Sequence, residues 1–294
     1  LRAVSSLLDS QKAAARWQGT SERSFSQISC FLPSEQKLTL EQMQTFRSSM
    51  YQKLKDASFD LDKESGLYTD AWCTFGKLRV SNGRQSGEIG VVAVDGHFFD
   101  FHPLRLLSGN YLSPDDLMQD RVLLDRETAW LLFGGTELTG MSFTIEGKPF
   151  VVAGVYEHED DAFSRRAHEG GMTIYMSYRA YSELKEDPGV SCYELVMAEP
   201  VRGFAYTAAQ EKFPVNSAEL VSNTYRFSFS NLVSLARSRA SRSMRTGGAV
   251  YPYWENAARA AEDRAVSLLI AAAVLALLPV ILLAVGIVRY SLRG

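Results

Sequence analysis

The C-terminal part of the sequence contains 24 consecutive residues without a charge, AVSLLIAAAVLALLPVILLAVGIV, at positions 265–288. As an α-helix this run would be about 36 Å long, which exceeds the roughly 30 Å hydrocarbon core of a bilayer. A buried helix of a soluble core is the alternative, but few soluble helices are apolar on every face. Pro279 would break a soluble helix, whereas membrane helices tolerate proline. The sequence therefore predicts one transmembrane helix at 265–288.

The charges on either side of this run predict its orientation. Arg289 and Arg293 follow the run, while Glu262, Asp263 and Arg264 precede it. Lysine and arginine favour the cytoplasmic side of a membrane helix. We therefore expect the C-terminus to face the cytoplasm and the residues before position 265 to lie on the extracytoplasmic side of the cell membrane.

The remainder of the chain has the composition of a folded domain. Hydrophobic residues make up 46% and charged residues 22% of the 294 residues, a balance that favours a buried core over disorder. Lysine and arginine number 31 against 34 aspartates and glutamates, so the net charge is −3. A dedicated nucleic-acid binder would carry a basic surplus, and we expect no nucleic-acid partner.

Residue periodicity predicts an α+β domain ahead of the apolar run. Thr39 and Gln42 have the spacing of a capping box that begins a helix, and apolar residues recur behind them at helical spacing. Shorter strands and helices alternate as far as residue 221, and a helical pattern then leads into the apolar run. The first predicted elements are a helix at 1–17, a strand at 24–32, the helix after Thr39, and paired strands at 68–80 and 88–94.

Two adjoining segments resemble a known family. Residues 97–116, HFFDFHPLRLLSGNYLSPDD, form a phenylalanine-rich segment whose first part ends in glycine at Gly109. Residues 122–157 follow, with a Leu-Phe-Gly corner, Gly140 and a strand that ends Val-x-Gly-Val. Together they resemble the MacB-like periplasmic core domain. Ala15-Arg16-Trp17 and SQISCFLP at 26–33 are similar to the entry helix and first strand of that family. The apolar run and its Arg289-Tyr290 exit resemble the start of an FtsX-like permease domain.

The resemblance implies an extracytoplasmic domain between the first and second transmembrane helices of an ABC transporter permease, with the first helix expected before Leu1. It implies a porter-like α/β subdomain that is interrupted by a smaller mixed (Sabre-like) subdomain and flanked by stalk helices. The implied partners are a cytoplasmic ABC ATPase subunit, a second permease copy in a dimer, and membrane lipid. The expected division is a stalk helix at 1–24, the porter-like subdomain at 25–90 and 191–221, the inserted subdomain at 91–190, a stalk at 222–264 and the membrane helix at 265–288.

The sequence contains no motif for enzyme chemistry. Gly76-Lys77 and Gly147-Lys148 lack the upstream glycine and the following Ser or Thr of a P-loop. G-x-S-x-G, H-E-x-x-H and C-x-x-C are also absent. We therefore expect no catalytic residues, no cofactor and no enzymatic activity in this chain, with ATP hydrolysis supplied by the partner subunit.

Three charged or metal-ligating groups have a functional and a structural interpretation. His97 and His102 could hold a metal, and the acidic run at 157–161 could hold a cation, but packed or surface histidines and a solvated loop are the favoured alternatives. We predict no metal site. Four arginines could contact anionic head groups or a charged substrate, although a solvated helix face is favoured; they lie at 237, 239, 242 and 245.

The cysteines leave two alternatives open. Cys30 and Cys73 fall in predicted strands on either side of one helix, an arrangement of neighbouring strands in which a disulfide could form outside the membrane. Such a bond would stabilise the fold by about 4 kcal/mol. The alternative is that both are small buried apolar side chains. Cys192, also in a predicted strand, is a competing partner.

The favoured hypothesis for function is the extracytoplasmic part of an ABC transporter permease. It would couple ATP hydrolysis by a cytoplasmic partner to export or to mechanical transmission across the membrane. The alternative is the extracellular sensor domain of a membrane-anchored signalling protein. A membrane-tethered enzyme ranks last, because the sequence offers no set of residues that could form a catalytic site together.

Overall fold

The computed structural model describes residues 8–113, 116–167, 171–186, 188–238 and 251–292. Within these residues the chain forms ten strands: β1 (Phe25–Phe31), β2 (Tyr68–Ser81), β3 (Ser86–Gly96), β4 (Arg105–Gly109), β5 (Arg121–Asp125), β6 (Ser142–Ile145), β7 (Lys148–Glu157), β8 (Thr173–Ser177), β9 (Cys192–Ala198) and β10 (Glu219–Ser222). It also forms nine α-helices: α1 (Ala13–Gln18), α2 (Leu40–Asp56), α3 (Phe98–Phe101), α4 (Arg126–Phe133), α5 (Ala162–Ala167), α6 (Tyr178–Leu184), α7 (Phe204–Lys212), α8 (Phe229–Ser238) and α9 (Tyr253–Ser291).

These strands form one mixed sheet in the order β10-β1-β9-β2-β3-β8-β5-β7-β4, with β6 beside both β2 and β7. From β10 to β3, neighbouring strands are antiparallel. Beyond β3 the sheet becomes mixed, because β3 pairs with β8 and β5 pairs with β7 in parallel. The predicted α+β class is confirmed.

The second half of the sheet closes into a ring. β2 pairs with β3, β3 with β8, β8 with β5, β5 with β7, β7 with β6, and β6 with the end of β2. Alternate side chains of these strands therefore face a common interior. The buried residues that form this second core include Leu78, Val80, Ile89, Val91, Val122, Leu124, Phe143, Ile145, Val152 and Ile174.

The first core lies on the antiparallel half of the sheet. Helix α2 packs its apolar face there, and the Phe46 ring lies 5.6 Å from Tyr193 of β9 and 5.1 Å from Phe213 after α7. Strand β3 contributes to both cores because its side chains alternate, with Val92 in the first and Val91 in the second. The predicted subdomain boundary at residue 91 lies within this shared strand.

The beginning of α2 shows why the local sequence predicts it well. The Thr39 hydroxyl accepts a hydrogen bond from the Gln42 amide at 3.2 Å, and the Gln42 side chain accepts one from the Thr39 amide at 3.1 Å. This is the predicted capping box, and it satisfies two backbone donors that the helix leaves without partners. The stripe Met43, Phe46, Met50 and Leu54 is buried as its spacing predicts.

Two glycines from the two segments that resemble the family face each other where β4 pairs with β7. Gly109 is paired with Gly154 in the antiparallel register. A Cβ atom at Gly154 would lie 2.5 Å from the Ser108 carbonyl oxygen, and Gly109 also has a positive φ of 75°. Only glycine allows this backbone approach, which explains the glycine in both segments.

Replacing Gly154 with alanine will lower the free energy of unfolding by about 1–3 kcal/mol or more, because the new methyl group overlaps a backbone oxygen that cannot move aside easily. Denaturant unfolding of the full chain in detergent measures this loss. Gly135→Ala is the matched control, since a Cβ atom there meets nothing within 4 Å. Equal stability of the two variants would contradict the prediction.

The N-terminal segment differs from the single helix predicted at 1–17. Residues 1–7 lie outside the described part of the chain, a 3-10 turn spans Asp9–Gln11, and α1 begins only at Ala13. Helix α1 lies against the sheet domain, since Ala13 and Ala14 are buried in the first core. Arg16 holds α1 against the sheet domain by donating hydrogen bonds to the Asp100 and Phe101 carbonyl oxygens at 2.8 and 3.0 Å. Tertiary contacts therefore override the local preference for one continuous helix.

The last helix, α9, is 39 residues long and continues through Pro279. Among the described residues, no helix meets the combined requirements of length and apolar character for crossing a membrane. The membrane span predicted at 265–288 stays a prediction.

Candidate functional site: the junction of the outer domain and the C-terminal helix

The start of α9 is embedded in the outer domain, a name used here for the described residues from 8 to 238. The Trp254 side chain is only 3% exposed, and its ring centroid lies 4.2 Å from that of His102 and 5.8 Å from that of Phe98. His102 in turn shares a hydrogen bond with the buried Glu194 carboxylate of β9. The first turn of α9 is therefore part of the first core.

A group of five charged side chains, the junction cluster, binds the next turns of α9. Its members are Glu219, Arg226, Glu255, Arg259 and Glu262. Arg226 donates two hydrogen bonds to Glu255, at 2.7 and 2.5 Å, and its Nε lies 3.0 Å from Glu262 Oε1. Arg259 Nε donates to Glu255 at 2.7 Å, and its Nη2 pairs with Glu219 of β10. The cluster thus joins one face of α9 to the segment that includes β10 and Arg226.

Most of this cluster is excluded from water. The side chains of Arg226 and Glu255 are each 1% exposed. Burial alone would lower the pKa of Arg226, but the charges of Glu255 and Glu262 raise it above its usual value. Burial alone would raise the pKa of Glu255, but Arg226 and Arg259 hold it below its usual value. Both groups therefore stay charged in the folded protein, and each depends on its partners.

Small side chains let neighbouring helices approach α9 closely. Ala257, Ala258 and Ala261 are fully buried in a cluster with Leu8 and with Ala167 of α5. One turn further on, α9 contacts α8 through a second cluster of buried residues: Leu232, Leu235, Ala265 and Val266. From residue 270 to residue 288, every side chain of α9 that the structure describes is exposed. The docked part of α9 therefore ends close to residue 266.

The sequence matches the family described as the MacB-like periplasmic core domain over residues 33–214, more than half of the chain. The chain belongs to this family. A MacB-like periplasmic core domain is a component of ABC transporter permeases rather than a classical enzyme, so the outer domain is the extracytoplasmic domain of a MacB/FtsX-like permease. No curated protein matches the sequence significantly.

Three solved structures are similar to this chain to different degrees. The periplasmic region of MacB from Actinobacillus actinomycetemcomitans is 14% identical, with a TM-score of 0.50 over 74% of this chain and 94% of that one. The extracellular domain of the ABC-type transporter YknZ from Gram-positive bacteria is 15% identical, with a TM-score of 0.46 over 67% and 98%. A domain of a permease protein from Porphyromonas gingivalis is 12% identical, with a TM-score of 0.38 over 67% and 88%.

His97 and His102, the two histidines considered as metal ligands, lie in different surroundings in this MacB-like domain. His97 is exposed and contacts Asp100 at 3.1 Å, whereas His102 is buried beneath Trp254. The acidic run at 157–161 serves local structure, since Glu157 pairs with Arg126 at 2.8 Å and Asp161 accepts hydrogen bonds at the start of α5. Within the described ranges, no three His, Cys, Asp or Glu side chains are placed to hold a metal ion.

The sheet order favours the second alternative for Cys30 and Cys73, that of small buried apolar side chains. Strand β9 lies between their strands, so their Cα atoms are about two strand spacings, roughly 10 Å, apart, beyond the roughly 7 Å that a disulfide can bridge. Cys30 of β1 and Trp72 of β2 both pair with Tyr193 of β9, so the side chains of Cys30 and Trp72 lie on the same face of the sheet. Cys73 follows Trp72 in its strand and therefore points to the opposite face. All three cysteines are free and buried.

The junction cluster is what sequence reasoning missed. Glu255, Arg259 and Glu262 recur at helical spacing on one face of α9, a signal for a charged face that is held against something. Arg226 gives no such signal, because it lies 29 residues before Glu255 in a segment without periodicity. Of the four predicted surface arginines, Arg237 is exposed at the end of α8, and those at 239, 242 and 245 lie outside the described residues.

Acidification will weaken the junction through Glu255. Because its folded pKa is lowered, its contribution to stability is present above its unfolded pKa of about 4.3 and is lost as the pH falls through the folded pKa. We expect the difference in thermal stability between the full chain and Glu255→Gln to be large at pH 7 and to shrink towards pH 3. Melting curves of both proteins in detergent across this range measure it, and a difference that is independent of pH would contradict the assignment.

Proposed function

We propose that this chain couples ATP hydrolysis by a cytoplasmic ABC ATPase subunit to movement of its outer domain, as half of a permease dimer in the cell membrane. The family match supports a permease over the alternative sensor domain. One observation carries the proposal: α9 is a continuous helix whose first four turns are fixed within the outer domain.

A rigid rod transmits displacement only if both of its ends are held. At the outer end, Trp254 is fixed in the first core and Arg226 binds Glu255 and Glu262 in the junction cluster. Breaking a buried charge pair costs about 3–5 kcal/mol, so α9 does not slide freely on the outer domain. At the other end, the apolar residues after 266 suit a membrane environment, in keeping with the predicted span and the predicted cytoplasmic C-terminus.

We also propose that the outer domain divides as the resemblance implies, into a porter-like part at 25–90 and 191–221 and an inserted part at 91–190. The presence of two cores supports a division into two parts, although the first core also contains Phe98 and Tyr175 of the inserted part and the second contains Leu78 of the porter-like part. The shared strands β2 and β3 would then connect the two parts. Residues 222–264 would serve as the stalk, although the start of α9 packs against α5 of the inserted part and pairs with Glu219 of the porter-like part.

Hydrogen exchange tests the coupling directly. The full chain and its ATPase are reconstituted together, and amide exchange at 253–266 is compared without nucleotide and with ATP bound to a hydrolysis-deficient ATPase. We expect the exchange rates of these amides to change with nucleotide, because the movement transmitted by α9 would act on the contacts between α9 and the outer domain. Unchanged exchange at the junction, with nucleotide-dependent changes elsewhere in the complex, would show that α9 is only an anchor.

A further inference from the structure

A polar cavity of about 660 Å³, the foot cavity, opens beside the junction cluster between α7, β10, α8 and α9. Its volume is within the range of about 300–1,000 Å³ that small-molecule sites occupy in proteins. Hydroxyl and amide groups are prominent in its lining, among them those of Ser222, Ser228, Ser230 and Asn231. Such a lining suits a polar ligand with several hydrogen-bond acceptors.

The charges around the foot cavity favour an anion. The Arg202 guanidinium lies over the Tyr225 ring at 4.4 Å and forms no ion pair with any residue that the structure describes. The Glu199 carboxylate lies at the edge of this lining, where it accepts hydrogen bonds from the Gly203 amide at 2.7 Å and from the Tyr225 hydroxyl but forms no ion pair with Arg202. The one carboxylate in the lining as described, Glu262, is paired with the buried Arg226. Arg202 therefore keeps its donors available for a ligand.

Two further donors face the same space. Tyr206 lines the cavity, and its hydroxyl has no hydrogen-bond partner among the described residues. Ser230 lies in the first turn of α8, where the helix dipole is positive. Ser228 accepts the amide hydrogen bonds of Asn231 and Leu232, which leaves the Phe229 and Ser230 amides for an anion. These groups come from α7 and α8, on two sides of the cavity, and so could bind different oxygens of one anionic group.

The position of the cavity indicates where its ligand comes from. Glu262 in the lining precedes the predicted membrane span by three residues, and α8 contacts Ala265 and Val266 at the beginning of that span. The next apolar side chains of α9 are open to their surroundings, with Leu268 and Ile270 each 44% exposed. A ligand with a polar end in the cavity and an apolar tail beside these residues would match both surfaces.

We propose that the foot cavity binds the anionic, phosphate-bearing head group of a lipid from the outer leaflet of the membrane. The proposal rests on the proposed function, because it requires residue 265 to mark the outer membrane surface. Arg202 would pair with the phosphate while stacked on Tyr225, and the Tyr206 hydroxyl and the start of α8 would donate to the remaining oxygens. Occupancy would bring lipid next to the junction cluster.

Calorimetric titration of the full chain in detergent tests this site with three probes: dihexanoylphosphatidylglycerol, dihexanoylphosphatidylcholine and glycerol 3-phosphate. We expect the anionic phosphatidylglycerol to bind about tenfold or more tightly than the zwitterionic phosphatidylcholine, and Arg202→Gln to remove this preference. Tyr206→Phe, which removes a single hydroxyl, should weaken binding by a smaller factor. Arg179→Gln, at an exposed arginine far from the cavity, should bind like the unaltered chain.

Two results would overturn the proposal. Equal affinity of the unaltered chain and Arg202→Gln for phosphatidylglycerol would show that the cavity is not an anion site. Equal affinity for phosphatidylglycerol and glycerol 3-phosphate would show that free phosphate compounds, not lipids, are the ligands. The titration needs no ATPase, so a failure of coupling in the exchange experiment leaves its outcome unchanged.

Discussion

Replacing Arg226 with methionine will destabilise the attachment of α9 to the outer domain by about 3–5 kcal/mol, because the carboxylates of Glu255 and Glu262 are left buried without this cation. Methionine retains much of the aliphatic volume, so the loss reports on charge more than on packing. The measurement is denaturant unfolding of the full chain in detergent, together with proteolytic cleavage near residue 253 as a direct sign of undocking.

Two further variants identify the cause of the loss. The triple variant Arg226→Met, Glu255→Gln, Glu262→Gln should recover much of the lost stability, because it leaves no carboxylate buried without a cation and Arg259 keeps its pair with Glu219. Arg23→Met breaks an exposed pair with Glu64 and should change stability by only about 0–1 kcal/mol. An Arg226→Met loss no larger than that of Arg23→Met would mean that the junction cluster does not hold the helix.

Inserting seven glycines between Asp263 and Arg264 will abolish the nucleotide response of the outer domain, whereas seven alanines at the same place will preserve most of it. Seven residues are about two helical turns, so the alanine insertion keeps α9 helical and returns its faces to within about 20°. Glycine costs about 1 kcal/mol per residue relative to alanine in a helix. The glycine insertion therefore disrupts the helix, although it adds the same number of residues as the alanine insertion.

The insertion follows Glu262, the last member of the junction cluster, so the cluster stays intact in both variants, and the contact of Ala265 and Val266 with α8 is displaced equally in both. Amide exchange at 253–262, with and without ATP, is the readout, and binding of the ATPase is checked by co-purification. A full nucleotide response in the glycine variant would show that helix stiffness plays no part, and the proposed mechanical coupling would then be wrong.

Local sequence predicts the elements whose stabilising contacts are close in the chain. The capping box of Thr39 and Gln42 and the buried stripe behind it involve residues within a few turns of one helix. The phenylalanine-rich segment and the Val-x-Gly-Val strand predicted the family, and Gly109 and Gly154 show the reason, since this backbone crossing leaves no room for a Cβ atom. Such constraints appear in a single sequence because each one restricts the type of residue allowed at a given position.

The tertiary structure alone decides what depends on which distant segments meet. Periodicity predicts that 192–198 is a strand, but not that β9 inserts between β1 and β2 and so separates Cys30 from Cys73. The helical spacing of Glu255, Arg259 and Glu262 is a local signal that the sequence analysis missed, and nothing local indicates that Arg226 lies against them. Strand order and buried ion pairing are set by the free energy of the whole packed arrangement, and no local pattern encodes them. The sequence by itself determined the family, the α+β class and the apolar C-terminal run, whereas the junction and the foot cavity arise only when α7, β10, α8 and α9 pack together.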